Sequence, residues 1–159
     1  MTQPAISTEQ AAMFERCVSA GGVALFPSDT VYGLACDPSA AEAVARVYAL
    51  KRRPPSTPAA VLFFQLEAAL EAVPELGPRT AAALEEILPG PVTLLLPNPA
   101  GRFPLACGPA AGTLGLRVPS LPPALQALET VRWPILQTSA KSSDGVDDAF
   151  LALARRLRA

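Results

Sequence analysis

Short apolar runs alternate with segments whose apolar residues recur at helical spacing, and this alternation limits the fold more than any other feature. Five runs are predicted to be strands, at 23–26, 59–64, 92–96, 113–118 and 134–138. Helices are predicted around them, at 8–19, 40–53, 66–73, 79–88, 123–129 and 146–158. This order predicts an α/β fold: a twisted, largely parallel or mixed sheet with flanking helices.

Local signals at the helix ends support these bounds. Ser7 followed by Gln10, and Ser39 followed by Glu42, are capping-box patterns that predict two helix N-termini. The second helix is predicted to end in the basic run 51–53, which suits the negative end of a helix dipole. The prolines that follow that run forbid its continuation.

Length and composition limit the kind of protein. The 159 residues fit one domain, residues 1–159, and neither an internal repeat nor a linker divides them. A net charge of -1 gives no general attraction to nucleic acid. The sequence contains no histidine, so the commonest general base and metal ligand is absent, and no metal site is predicted from the residues.

Cellular location follows from cysteine usage and from the apolar runs. Three cysteines without a CxxC pair argue against a disulfide framework and for a reducing cytoplasm. The N-terminus lacks a signal-peptide pattern, and no apolar stretch reaches the roughly 20 residues that span a bilayer. We therefore expect a cytoplasmic protein without a membrane partner.

Polar clusters are predicted near the strand ends, where open α/β sheets bind ligands. They are the run 28–33, Lys51 with Arg53, and the run 138–143. Lys51 and Arg53 suit phosphate or carboxylate oxygens. Thr113 and Arg117 lie four residues apart on one strand, so both side chains point to the same sheet face. A charge in so apolar a strand needs a partner or a wet cleft.

Each cluster also has an ordinary structural interpretation. The run 28–33 suits a plain turn, 51–53 a solvated helix end, and 139–143 a plain loop. Arg117 suits a structural salt bridge. The residues alone therefore indicate an α/β domain that binds an anionic ligand, with its chemistry left open.

Five stretches, in order along nearly the whole chain, resemble the YrdC-like family of L-threonylcarbamoyladenylate synthases. They read FPSDTVYGL (26–34), YALKRRP (48–54), LPGPVTLLLP (88–97), GTLGLRVP (112–119) and PILQTSA (134–140). The resemblance implies that L-threonine, bicarbonate and ATP are condensed to threonylcarbamoyl-AMP with release of pyrophosphate. The product would serve the threonylcarbamoyladenosine modification of tRNA.

The resemblance also implies site roles and partners. Thr30 and Arg117 would bind threonine, and Lys51 and Arg53 would act in catalysis. Nucleotide contacts are implied for a further set: Arg53, Thr57, Thr113, Ser139 and Lys141. Mg²⁺ is expected with the ATP phosphates, and tRNA or another RNA and proteins of tRNA modification are expected partners.

Two departures from the family pattern keep a second function open. The family's S-x-N element reads Ser139-Ala140-Lys141, so an amide is replaced by a cation that only donates. Lys141 would either bind a phosphate or repel Lys51. We also expect the usual C-terminal segment of the family to be missing after Ala159. The alternative is a diverged, non-catalytic paralogue that binds nucleotide or RNA in the same cleft; carbamoyl transfer to another acceptor is a third, weaker option.

Overall fold

The computed structural model of the protein describes residues 5–27 and 32–139, with only the backbone of Ser139. In chain order the elements are α1 (Thr8–Ser19), β1 (Ala24–Pro27), β2 (Tyr32–Cys36), α2 (Ala41–Leu50), β3 (Ala60–Leu62), α3 (Leu66–Ala72), α4 (Pro78–Ile87), β4 (Leu94–Pro97), α5 (Pro104–Cys107), β5 (Thr113–Arg117), a 3-10 helix (Pro123–Thr130) and β6 (Ile135–Ser139). The predicted α/β class is confirmed.

The strands form one mixed sheet in the order β1-β2-β6-β3-β5-β4. Among these described strands β3 and β5 pair in parallel, and each other neighbouring pair is antiparallel. The sheet is therefore mixed and not largely parallel. A parallel pair needs a crossover, whereas antiparallel neighbours such as β1 and β2 can be joined by a short connection.

Helices cover the two faces of the sheet unequally. On the first face, α2, α3, α4 and α5 pack against a core that includes Val61, Phe63, Leu116 and Leu136. On the second face, α1 and the 3-10 helix pack against a smaller set of residues: Phe26, Ala35, Leu62, Phe64 and Ile135. Among the described residues, no helix covers the rest of the second face.

The capping signals succeeded at α1 and failed at α2. The Gln10 backbone N–H donates to Ser7 Oγ (3.1 Å), and the Ser7 N–H donates to Gln10 Oε1 (2.9 Å). At α2 the N-cap is Ala40, which makes no side-chain cap bond, so the capping box predicted from Ser39 is wrong. Asp37 Oδ1 instead accepts the Ser39 N–H (2.7 Å), a local turn that places the helix one residue later.

Strand β2 was not predicted, because its residues were assigned in part to a polar turn. Tyr32–Cys36 is made of small residues with little strand preference, apart from Tyr32 and Leu34. It is nevertheless paired on both sides, with β1 and β6. Residues 28–31 and the predicted last helix, 146–158, lie outside the described residues.

Two further predictions changed in detail. The predicted loop between Pro97 and Gly112 contains the short helix α5, and the predicted helix after Pro123 is a 3-10 helix. In the part of the chain that the structure describes, no helix has the length and apolar character needed to cross a membrane.

Candidate functional site

Several predicted site segments meet at one edge of the sheet, here called the site edge. Ala60, the first residue of β3, pairs with Gln137 near the end of β6. Because β5 runs parallel to β3, it also begins at this edge. Pro27 and Tyr32, which flank the undescribed residues 28–31, pair with each other at the same edge. Strand pairing alone thus gathers four distant parts of the sequence.

The register creates a gap at this edge above the start of β3. Val61 pairs with Leu116, so Gly115 is level with Ala60, and Thr113 lies two positions further out on β5. On the other side Ser139 lies two positions beyond Gln137 on β6. These flanking strands are two strand spacings apart, about 10 Å. The gap thus lies at the amino ends of the parallel pair β3 and β5 and at the carboxyl end of β6.

The second face of the sheet continues inward from this gap, and the gap and this part of the face are together called the cleft here. Ala60 and Gln137 share this face with the alternate β5 residues Thr113, Gly115 and Arg117, because paired residues point the same way. Ala60 and Gly115 are small, and on the neighbouring strand Leu95 is 74% exposed. The described side chains at this part of the face are therefore small or exposed.

Arg117 lies on this face but deeper than the other predicted residues. It pairs with Leu62, four positions along β5 from Thr113, which corresponds to about 13 Å of strand. Its side chain is half-buried beside the apolar cluster of the second face. The prediction that Thr113 and Arg117 share a face is confirmed, and their separation shows that they could contact only different parts of a ligand.

Lys51 is held at the site edge by the end of α2. As the C-cap residue it donates its backbone N–H to Val47 O (3.0 Å). Its ammonium Nζ is buried and has no hydrogen-bond partner among the described residues. Burial, and secondarily the charge of Arg53, lower the pKa of Lys51 from its ordinary value. A buried cation of this kind is stabilised by any anion that reaches it.

Arg53 is fixed by the segment that leads into β3. Its Nη2 donates to Pro58 O (2.6 Å), and the guanidinium lies 5.9 Å from the centre of the Tyr48 ring. The Tyr48 hydroxyl donates to Thr57 O (2.7 Å), and burial raises the pKa of Tyr48, which keeps that proton in place. The bond to Pro58 uses one of the five guanidinium N–H donors. Arg53 and Thr57 are thus braced through a buried tyrosine.

Five of the predicted site residues lie within the described part of the chain: Lys51, Arg53, Thr57, Thr113 and Arg117. The first four lie in segments that meet at the site edge, and Arg117 lies further along the same cleft. Thr30 and Lys141, and the side chain of Ser139, lie outside the described residues.

Two residues of the site were missed. Tyr48 was assigned only to the apolar face of α2, although its hydroxyl braces Thr57. Gln137 is a half-buried polar residue in an apolar strand, and its Nε2 would lie 3.4 Å from a Cβ placed on Gly33. The signal that singled out Arg117, a polar group within an apolar strand, applies equally to Gln137.

The described part of the site offers cations and hydroxyls, and not metal ligands. No group of three His, Cys, Asp or Glu side chains within 5–27 and 32–139 could hold a metal ion. The cations and hydroxyls of the described residues suit anionic groups rather than a metal ion.

Sequence comparisons place this arrangement among known proteins. The family model Sua5/YciO/YrdC, described as "Telomere recombination", matches residues 16–149. The threonylcarbamoyl-AMP synthase of Hahella chejuensis is 34% identical over 123 residues, which are 77% of this chain and 66% of that protein. The threonylcarbamoyl-AMP synthase of Mus musculus is 33% identical over 124 residues, 78% of this chain and 43% of that protein. The chain thus spans less than two thirds of the length of either relative.

A solved structure gives the same result in three dimensions. P. abyssi Sua5 in complex with L-threonine superposes with a TM-score of 0.70 at 27% identity. The match covers 85% of this chain and 39% of the other. The mixed sheet and its flanking helices are therefore those of that family of domains.

Proposed function

The chain belongs to the Sua5/YciO/YrdC family, and from this premise we propose that it condenses L-threonine, bicarbonate and ATP into threonylcarbamoyl-AMP for tRNA modification. The observation that carries the proposal is the buried ammonium of Lys51, which has no hydrogen-bond partner among the described residues, at an edge where Arg53, Thr57 and Thr113 also lie. Relatives named threonylcarbamoyl-AMP synthase, and a related structure that holds L-threonine, support the same chemistry.

The charges of the site suit this reaction. Each reactant is an anion or carries an anionic group, so bringing them together costs electrostatic repulsion that fixed cations offset. Lys51 and Arg53 would hold phosphate and carbamate oxygens, and a carbamate aligned with the α-phosphate can attack it with pyrophosphate as leaving group. Catalysis would then consist of positioning and charge stabilisation, which needs no histidine base.

The remaining roles follow from the positions on the cleft. Arg117, set deeper on the second face, would bind the threonine carboxylate, and Thr30 would contact the same substrate. Thr57, Thr113, Ser139 and Lys141 would bind near the nucleotide. Mg²⁺ would enter on the ATP phosphates, since the described residues give it no ligand set. The product would pass to partner proteins that modify tRNA.

A direct assay tests the proposal. We expect the purified chain to release pyrophosphate from ATP and Mg²⁺ when both L-threonine and bicarbonate are supplied, and to release little when threonine is left out. The adenylate should also be detectable by mass spectrometry before it hydrolyses. Release no greater than that of Lys51→Ala would overturn the proposal.

The alternative, a non-catalytic paralogue that binds nucleotide or RNA, is favoured by Lys141 in place of the family asparagine. Binding to RNA would then be weak and lost at moderate salt, because such affinity depends on phosphate neutralisation and the chain carries a net charge of -1.

Converting Lys141→Asn separates the two functions. We expect pyrophosphate release to rise, or to appear, because the amide restores a group that both donates and accepts and removes a cation that could repel Lys51. Lys141→Gln, which removes the same charge with a longer amide, is the matched control. An absence of release in wild type and in both variants would favour the binding function.

A further inference from the structure

One buried asparagine organises the loop that leads from β4 to β5. Asn98 is 6% exposed, and its Nδ2 lies 2.9 Å from Arg102 O and 3.1 Å from Ala111 O. Its Oδ1 accepts the Arg102 N–H (2.9 Å), and its own N–H donates to Gly112 O (2.9 Å). Side chain and backbone of Asn98 therefore tie the two limbs of the loop together.

The same loop supports the nucleotide side of the proposed site in two places. It delivers Thr113, whose N–H donates to Ala110 O (3.0 Å). It also touches the segment that contains Thr57: Ala106 O accepts the Ala59 N–H (2.9 Å), and a Cβ on Gly108 would lie 2.9 Å from Ser56 O. A shift of this loop would therefore move Thr113 and Thr57 together.

An ion pair at the surface also holds this loop, but it cannot replace the hydrogen bonds of Asn98. Arg102 Nε donates to Glu75 Oε1 (3.0 Å), and both side chains are partly exposed. Exposed pairs contribute little to stability. The Asn98 side chain, in contrast, is buried and bonds to the partly buried Arg102 O and Ala111 O, and such bonds are costly to lose, so the order of the loop depends mainly on Asn98.

We propose that Asn98 is a positioning residue for nucleotide binding. It fixes Thr113 and the segment around Thr57 relative to each other. This rests on the proposed function for the identity of the nucleotide, ATP. Asn98 touches no substrate itself. Arg117 lies at the far end of β5, where the strand pairs with β3, so its position does not depend on the loop.

The test is a split between the two substrates. Asn98→Ala should raise the KM for ATP by about tenfold and leave the KM for threonine within about twofold. Ser7→Ala, which removes the cap bond from the Gln10 N–H to Ser7 Oγ, controls for a general loss of stability and should leave both KM values unchanged. If Asn98→Ala fails to fold, as judged by the fluorescence of Trp133, Asn98→Ser keeps one donor and should show a smaller shift in the same direction.

The outcomes separate this inference from the proposed function. Equal shifts of both KM values, or none, would overturn the positioning role while leaving the synthase intact. If wild type binds ATP by calorimetry but releases no pyrophosphate, the proposed synthase activity is wrong. In that case a tenfold weaker Kd for ATP in Asn98→Ala would support the positioning role, and an unchanged Kd would overturn it. Wild type that binds no ATP would overturn both.

Discussion

Replacing Lys51→Met should lower threonine-dependent pyrophosphate release at least about 100-fold, the typical cost of deleting one group that stabilises charge in a transition state. The fold should survive the change, because the methionine side chain fills the space of the lysine stem without placing a buried charge there. Melting followed by circular dichroism should show a melting temperature that is unchanged or raised.

The expected gain in stability follows from the direction of the pKa shift. Burial lowers the pKa of Lys51 in the folded chain from its ordinary value of 10.5, so the unfolded chain holds the proton more tightly. Protonation therefore opposes folding, fully at pH values below the lowered pKa, and the penalty fades as pH rises towards 10.5. At neutral pH Lys51→Met removes that penalty. Such a residue trades stability for function.

The neighbouring Arg52 provides the matched control for Lys51. It is exposed and carries the same charge, and the family resemblance assigns it no role. Arg52→Met should therefore retain most of the activity. A Lys51→Met variant with wild-type release, or an Arg52→Met variant equally inactive, would show that the position of the buried ammonium is not what matters.

Replacing Arg117→Gln should raise the KM for threonine about 30-fold and leave the KM for ATP nearly unchanged. A charge-assisted bond to a carboxylate contributes roughly 2 kcal/mol, and each 1.4 kcal/mol is a factor of ten. Glutamine keeps a donor and much of the side-chain length. The loss of affinity for threonine therefore measures the contribution of the positive charge and of the paired N–H donors. Threonine titrations at saturating ATP measure the effect.

Two control variants test whether this effect is specific to Arg117 and to its guanidinium. Arg79→Gln removes an exposed arginine from α4, which packs on the first face of the sheet, and should leave both KM values as they are. Arg117→Lys keeps the charge without the planar fork and should fall between wild type and Arg117→Gln. If the ATP KM rises instead, Arg117 binds the nucleotide and its assignment to threonine is wrong.

Much of the local structure could be predicted because its causes lie within a few residues. The cap of α1 depends on Ser7 and Gln10, and the buried side of α2 follows from the spacing of Val44, Val47 and Tyr48. Strand β2 could not be predicted this way. Gly33 and Ala35 have little intrinsic strand preference, and the strand exists because β1 and β6 flank it.

The residues of the candidate site also differ in how far the sequence could predict them. Lys51, Arg53 and Arg117 could be chosen from the sequence, since cations next to or within apolar elements need a physical reason. Only the strand register shows which of these residues lie side by side. It places Gly115 level with Ala60, and Thr113 and the backbone of Ser139 beyond them. Asn98 gave no signal, because a buried asparagine that closes a loop looks like a surface turn residue in the sequence.

The sequence by itself thus determined the α/β class, most helices and strands and, through five motifs, the family, and it predicted an anionic ligand. The tertiary structure decided the mixed strand order, the common edge of the site segments, the burial of the Lys51 ammonium and the bracing of Arg53 through Tyr48. The reason is the range of the interactions. Caps and helical faces depend on residues within one or two turns, whereas strand register and burial depend on residues far apart in the chain.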